Sequence, residues 1–559
     1  MFTVGVLAAG CVEVTKFEGK VFSIGPFGFR VGFAFQQERA LNLVYALHHT
    51  VTIKRNSAIM IAGGGLAGLT AKMALHGLGY GNVTLYEARE GSLRAQQQAL
   101  HRLLHPSYNS WPMVPSFSAT SALPFLNWHS GSAADVVKFI NERWEEVYKR
   151  KLPVVRHGSV TKLDPVRGRQ KKVERVRATI EVNGLKENKE FDYVILATGF
   201  GSERDLDHSM VDGYWDPDTI GIVAADEKDT RRVYVSGIGD GGLMDFVRFG
   251  FEDGALSDIA IETISRLRNS IYDGPRTSLD QSYVPSSIED EIRELETHAS
   301  ALLPLSAEGQ TKFGTRTENK IARVLRDGYL KILEDYLPSE AADFLNRRLR
   351  KTLVSSNRLH LVGKLEAPFT CATAPINKLL AAYLLSKNPK MYVRGKIDTG
   401  SRKLVRKDGS EEPLEDSFLV LRHGGRPPAY KISKSFAKQN RNLNLALANL
   451  TSVERSNEEI CGNLQDVVSV DPWSQKFRDY RGELAKMFAL SINVPISERV
   501  GVSAEDEPFW FEFNPGKISK DGTKTIVGKL GGFPHEIFGI KLLAVYPGLA
   551  RSTVKRGAA

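Results

Sequence analysis

The chain has 559 residues, 42% hydrophobic and 25% charged. These are ordinary globular proportions, so two or three domains are expected and wholesale disorder is excluded. A net charge of +10 suits anionic ligands or a basic face, while no zinc-finger spacing or aromatic-interleaved basic motif points to nucleic acid.

The first eleven residues are apolar but lack a basic leader, and Val12-Glu13-Val14-Thr15-Lys16 alternates like a strand. This start reads as the first strand of the fold rather than a signal segment. After the turn Gly25-Pro26-Phe27-Gly28, the apolar residues between Gln36 and Leu47 recur at helical spacing. Residues 1–55 are therefore expected to form a β-rich flap followed by a helix.

The segment Ser57-Ala58-Ile59-Met60-Ile61-Ala62-Gly63-Gly64-Gly65-Leu66-Ala67-Gly68 comes next. It is an apolar strand running into G-x-G-x-x-G and then into a helix. A second strand, Val83-Thr84-Leu85-Tyr86, ends at Glu87-Ala88-Arg89. That is the βαβ setting a dinucleotide fingerprint requires. Gly63 permits the tight turn, Gly65 lets a pyrophosphate approach the backbone, and Gly68 lets helix and strand pack closely. Backbone N–H groups from Gly65 to Gly68 and the helix dipole meet phosphate charge. The Glu87 carboxylate is placed to accept from both adenosine ribose hydroxyls, which disfavours a 2′-phosphate and hence NADP at this turn.

FAD and NAD share this half-site, and two later segments favour FAD. They are Phe191-Asp192-Tyr193-Val194-Ile195-Leu196-Ala197-Thr198-Gly199 and Arg232-Val233-Tyr234-Val235-Ser236-Gly237-Ile238-Gly239-Asp240. With them the chain resembles the two-dinucleotide-binding flavoprotein superfamily, whose members carry a strand ending in Ala-Thr-Gly and a later one ending in Gly-Asp. The resemblance covers roughly residues 57–245. It implies that Thr198, Gly199 and Gly239 line the cofactor and that Asp240 bonds the ribityl chain of FAD. Members insert a whole NAD(P)H domain between the two strands, whereas about 40 residues separate them here. Gly237-Ile238-Gly239-Asp240-Gly241-Gly242 itself fits G-x-G-x-x-G, so a second phosphate cradle stands as the alternative to the ribityl role. NAD(P)H remains a candidate reductant.

Between the two motifs lie His101-Arg102-Leu103-Leu104-His105-Pro106-Ser107-Tyr108-Asn109-Ser110-Trp111-Pro112 and Leu123-Pro124-Phe125-Leu126-Asn127-Trp128-His129. In flavoproteins of this type the corresponding chain returns towards the flavin ring. His105 is therefore a candidate for proton transfer and Trp111 for a flat apolar wall, with packing roles as the competing explanation. His101 and His105 have metal-ligand spacing but no further ligand, and no metal is expected. Further on, a strand around Leu361 runs into the Gly/Pro loop Gly363-Lys364-Leu365-Glu366-Ala367-Pro368-Phe369-Thr370-Cys371 and a helix bearing Asn377. This loop is a candidate to lie against the cofactor. Three dispersed cysteines, Cys11, Cys371 and Cys461, fit a reducing, cytoplasmic compartment. No apolar run reaches the ~18 residues that span a bilayer.

The expected architecture is α/β. A Rossmann-like FAD-binding domain over 56–250 is followed by a mainly helical region over 251–390 that completes the cleft. A linker or exposed hairpin and a mixed α/β region follow over 391–559, the last with a protein partner as a candidate role. The expected activity is that of an FAD-dependent oxidoreductase acting on a small molecule. The alternative is a non-catalytic FAD- or NAD-binding sensor reusing the fold.

Overall fold

In the computed structural model the residues described are 15–24, 32–51, 53–77, 79–112, 128–148, 155–168, 173–201, 213–216, 230–252, 258–272, 287–302 and 315–425. A few single positions and two short strands lie outside those ranges. The expected strand at the extreme N-terminus, the turn at Gly25 and nearly all of residues 426–559 fall outside the described residues.

A short hairpin, β1 (Lys16–Glu18) and β2 (Val21–Ser23), precedes helix α1 (Phe33–Thr50). Helix α1 extends the predicted helix by about a turn at its start. The fingerprint then folds as its pattern requires: β3 (Ile59–Ala62), α2 (Leu66–Gly77) and β4 (Val83–Glu87). A two-residue pairing of β5 (Leu103–Leu104) with β6 (Gly131–Ser132) leads to α3 (Ala133–Tyr148) and the edge strand β7 (Arg156–His157). An antiparallel meander follows, β8 (Ser159–Arg167), β9 (Val173–Val182) and β10 (Leu185–Phe191). Its tip, Asn183-Gly184, has φ of 50° and 78°, the pair of positive values that suits the twist of a two-residue hairpin. The chain then re-enters the first sheet as β11 (Tyr193–Leu196).

The first sheet has the order β1-β2-β11-β3-β4-β7 and is parallel from β2 to β7. Both faces of β3 are buried, as a parallel strand requires. Ile59 and Ile61 pack towards α1, α2 and α3, and Met60 and Ala62 pack towards the meander.

A second sheet begins at β12 (Arg232–Ser236), which leads into α4 (Asp240–Gly250). A run of helices follows: α5 (Asp258–Tyr272), α6 (Ile288–Ala301), α7 (Thr315–Tyr336), α8 (Ser339–Arg348) and α9 (Lys351–Ser355). Only then does β13 (Leu359–Gly363) form, followed by α10 (Pro375–Lys387). The strands β14 (Tyr392–Asp398), β15 (Lys403–Arg406), β16 (Glu411–Pro413) and β17 (Ser417–Leu421) complete the order β16-β15-β14-β13-β12-β17. The strands from β14 to β17 in that order are parallel, and β15 and β16 curl away as antiparallel neighbours. The basic stretch around residues 394–408 is thus a hairpin on the edge of a sheet. Helix α10 is buried on all sides, which marks an interior helix rather than an amphipathic one. Among the described residues no helix is long and apolar enough to cross a membrane.

Candidate functional site

The two parallel sheets each present a glycine turn at a strand's carboxyl end, the position where open α/β sheets hold ligands. At the first turn Gly63 has φ of 114°. Its N–H donates to the Tyr86 carbonyl at 2.8 Å, which closes the turn against β4. A Cβ at Gly63 would strike the Ala197 carbonyl, and one at Gly68 would strike the Gly63 carbonyl. At Gly65 a Cβ would meet nothing within 4 Å, so space opens there above the start of α2, with Leu66 and Ala67 in its first turn. Glu87 accepts from the Gly64 N–H at 2.5 Å and from the Arg89 N–H at 2.9 Å. Its carboxylate fixes the turn with one lone pair per oxygen and keeps capacity for more donors. The Ala88 carbonyl lies 3.2 Å from His157 Nε2. Thr198 and Gly199 follow β11 directly beside Gly63. The first turn therefore gathers Gly63, Gly65, Leu66, Ala67, Gly68, Glu87, Ala88, Arg89, Thr198 and Gly199 at one end of one sheet.

The second turn repeats this construction. Gly237 has φ of 125°, and its N–H donates to the Val362 carbonyl at 3.0 Å. A Cβ at Gly237 would strike the Arg422 carbonyl and one at Gly242 the Gly237 carbonyl, while Gly239 faces open space. Strand β17 stands beside β12 as β11 stands beside β3. In register, Leu421-Arg422-His423-Gly424 occupies the place of Leu196-Ala197-Thr198-Gly199, and Gly424 and Gly199 both have positive φ, 78° and 63°. Two differences separate the turns. Where the first has Gly64 beneath Glu87, the second has Ile238 beside Gly363: a Cβ on Gly363 would lie 2.6 Å from Ile238 Cγ2. The place of the Glu87 carboxylate is thus taken by Gly363 with the Ile238 side chain against it, and Lys364 follows, exposed. Where the first helix opens with Leu66, the second opens with Asp240.

Asp240 and Asn377 are brought together, and both belong to the second turn. Asp240 Oδ1 accepts from the Ala374 N–H at 2.7 Å and from Asn377 Nδ2 at 3.0 Å. The Tyr108 hydroxyl donates to Asn377 Oδ1 at 2.5 Å. The Asp240 carboxylate thereby caps α10, and burial raises its pKa against these hydrogen bonds. It lies on the sheet that does not carry Gly63.

The His/Trp/Pro loop forms a strap between the two halves of the chain. Arg102 pairs with Asp245 of α4, Tyr108 reaches Asn377 of α10, and Trp111 Nε1 donates to Glu289 of α6 at 2.6 Å. Trp111 is fully buried. His105 is buried too, stacked on Phe117 with ring centroids 4.1 Å apart, and its Nδ1 accepts from the Ser107 N–H at 3.1 Å. Burial, helped by His129, lowers its pKa to about 3.

Sequence reasoning did not single out the charged cluster at the junction of the halves. Asp245, fully buried, accepts from Arg102, Arg248 and Arg422, and Arg422 also pairs with Glu203 at 2.8 Å. Burial pushes the Asp245 carboxyl up, but the three guanidiniums outweigh it and hold the group well below the usual carboxylate range. The carboxylate partners of Arg422, Asp245 and Glu203, lie 177 and 219 residues away in the chain, so no local pattern could announce them.

No family model matches the chain, and no curated protein matches it. Among solved structures it is similar to the ornithine N-hydroxylase of Kutzneria sp. 744, bearing reduced FAD, NADP+ and L-ornithine. The identity is 14% over 68% of this chain and 84% of that one, at a TM-score of 0.31. It is also similar to an ε-caprolactone-bound cyclohexanone monooxygenase in its loose conformation, at 14% identity over 67% and 75% of the two chains and a TM-score of 0.31. Likeness this distant does not say what the chain binds.

Proposed function

We propose that the chain is an FAD-dependent oxidoreductase that holds FAD on the first turn and a pyridine dinucleotide on the second. The observation that carries the proposal is the repeated glycine geometry: Gly65 and Gly239 both face open space, while their flanking glycines are sealed against backbone carbonyls. A free backbone face at a helix start is what a pyrophosphate needs. Glu87 supports FAD at the first turn, where its remaining lone pairs suit two ribose hydroxyls.

At the second turn, among the described residues, no carboxylate stands in the place that Glu87 has at the first, and Lys364 is next to that place in the chain. That favours a 2′-phosphate, hence NADPH as reductant. Under this reading Asp240 organises the second turn and α10 rather than the ribityl chain. Bound flavin supplies the capacity to take up and pass on a hydride or electrons. The chain's own residues bind and orient the two nucleotides. His105, neutral across the physiological range with Nδ1 already accepting from the Ser107 N–H, keeps Nε2–H as a hydrogen-bond donor but is no acid, and Trp111 serves as packing. A small-molecule substrate is the remaining partner.

The absorption spectrum of the purified chain, followed by anaerobic titration with NADPH, tests this. Flavin bands that NADPH bleaches are expected. Gly65→Asp should abolish flavin retention, whereas Gly239→Asp should keep the yellow colour and lose bleaching. A colourless wild-type protein would overturn the FAD assignment. Flavin that neither NADPH nor NADH reduces would leave a flavin-binding sensor instead of an enzyme.

A further inference from the structure

We propose that a groove on the second sheet, separate from both glycine turns, is a binding site for a phosphorylated small molecule. The groove has a volume of about 630 Å³ and is lined by Asn357, His360, Lys390, Arg394, Arg406 and Lys407. Its size is that of an ordinary small-molecule site.

His360 sits near the beginning of β13, opposite Tyr234 of β12, whereas the second turn closes the far end of these strands. The imidazole is 5% exposed and stacks on Tyr234 with ring centroids 4.7 Å apart. Neither ring nitrogen has a partner of hydrogen-bond geometry, although the Asn357 backbone inclines the ring towards protonation. Asn357 Oδ1 is likewise buried without a partner. Buried polar atoms are nearly always satisfied, so Asn357 Oδ1 and the ring nitrogen of His360 turned away from the Asn357 backbone are polar capacity left for a ligand.

The charge on the groove selects the kind of ligand. Arg406 is tied to Glu412, and Arg394 lies 3.6 Å from Glu366. Lys390 and Lys407 have no ion-pair partner among the described residues. The carboxylate that also lines the groove, Asp408, accepts from the backbone and hydroxyl of Ser410. Two uncommitted ammonium groups call for an anion. A neutral imidazole beside them, one nitrogen turned to the Asn357 backbone, offers its other nitrogen as an acceptor to the body of the same molecule.

The test is calorimetric titration of the flavin-loaded Gly239→Asp chain, in which the second turn is closed, with inorganic pyrophosphate as the probe. Saturable one-to-one binding is expected. The double variant Lys390→Ala/Lys407→Ala should weaken it at least tenfold, and His360→Phe, which keeps the stack on Tyr234, should weaken it severalfold with the melting curve retained. Three results would overturn the proposal. These are no saturable binding, binding that the lysine pair does not alter, and binding that His360→Phe leaves intact, since surface lysines alone would then explain it. Binding seen in the wild-type chain but lost in Gly239→Asp would place the probe on the second turn and overturn it equally.

Discussion

Glu87 and His105 are alike in lying at loops after the first βαβ unit, yet their surroundings set them apart. Glu87 uses both oxygens to hold the backbone N–H groups of Gly64 and Arg89. Glu87→Ala should therefore loosen the turn and remove the ribose partner together, weakening flavin retention by about 1–3 kcal/mol. Glu87→Gln keeps an acceptor and should cost less, which equilibrium dialysis against free FAD would show. Equal losses in the two variants would remove the charge from the explanation. For His105 the consequence concerns pH. Its folded pKa of about 3 lies below the ordinary value of 6.5, so the fold favours the neutral ring. Its contribution is full above pH 6.5 and is lost as pH falls towards 3. Between pH 6.5 and 5 that slope amounts to about 2 kcal/mol for one group. Urea midpoints at pH 7 and pH 5 should therefore diverge less in His105→Gln than in the wild-type chain. An unchanged difference would mean that the ring takes up its proton in the folded state.

At the scale of elements, the first βαβ unit was legible because strand, turn, helix and acid follow one another within about 30 residues. The hairpin at Asn183-Gly184 was legible for the same local reason. The second unit was not. Its strand β12 and turn were visible, but α5 to α9 intervene before β13, so the partner strand stands more than a hundred residues away. Its last strand, β17, is followed by Arg422-His423-Gly424, which shares only the glycine with Ala197-Thr198-Gly199. The turn at Gly237 consequently read as the tail of the first domain, with Asp240 set against FAD and a second phosphate cradle as the alternative. The His/Trp/Pro loop was legible in composition but not in its contacts. Its aromatic residues are there to cross between two cores, a role that leaves no periodic trace. Where the second unit departs from the first, specificity should follow. Lys364→Glu restores an acid beside the ribose position of the second turn. Its KM for NADPH should rise at least tenfold and that for NADH should rise less or fall. Parallel changes in both would place the 2′-phosphate elsewhere.

The two halves have separate cores, one around β3 and α2 and one around β12, α4 and α10. They are joined by the strap and by the cluster on Asp245, which collects Arg102 from the first half and Arg248 and Arg422 from the second. Such a cluster contributes little over well-packed apolar residues while intact, yet removing one member leaves charges uncompensated away from water. Asp245→Asn removes the carboxylate shared by Arg102, Arg248 and Arg422 and should lower stability by about 3–5 kcal/mol in urea. The exposed pair Lys403 with Glu411, by contrast, has side chains 44% and 51% exposed, and Lys403→Ala should change stability by less than about 1 kcal/mol. The pH windows separate the cluster from the histidines. The Asp245 carboxyl is held well below its ordinary value of 3.8. Its contribution is therefore present above that value and is lost only as pH falls through the lower folded one. His105 and His360, with folded values near 3 and 4, begin to weaken the fold as soon as pH drops below 6.5. Acid should thus loosen the loop at His105 and the groove at His360 first and leave the junction closed. Hydrogen exchange at pH 5 should show faster exchange near Ser107 and β13 with the N–H groups of α4 still protected. Early exchange throughout α4 would mean that the junction, and not the histidines, is the part most sensitive to acid.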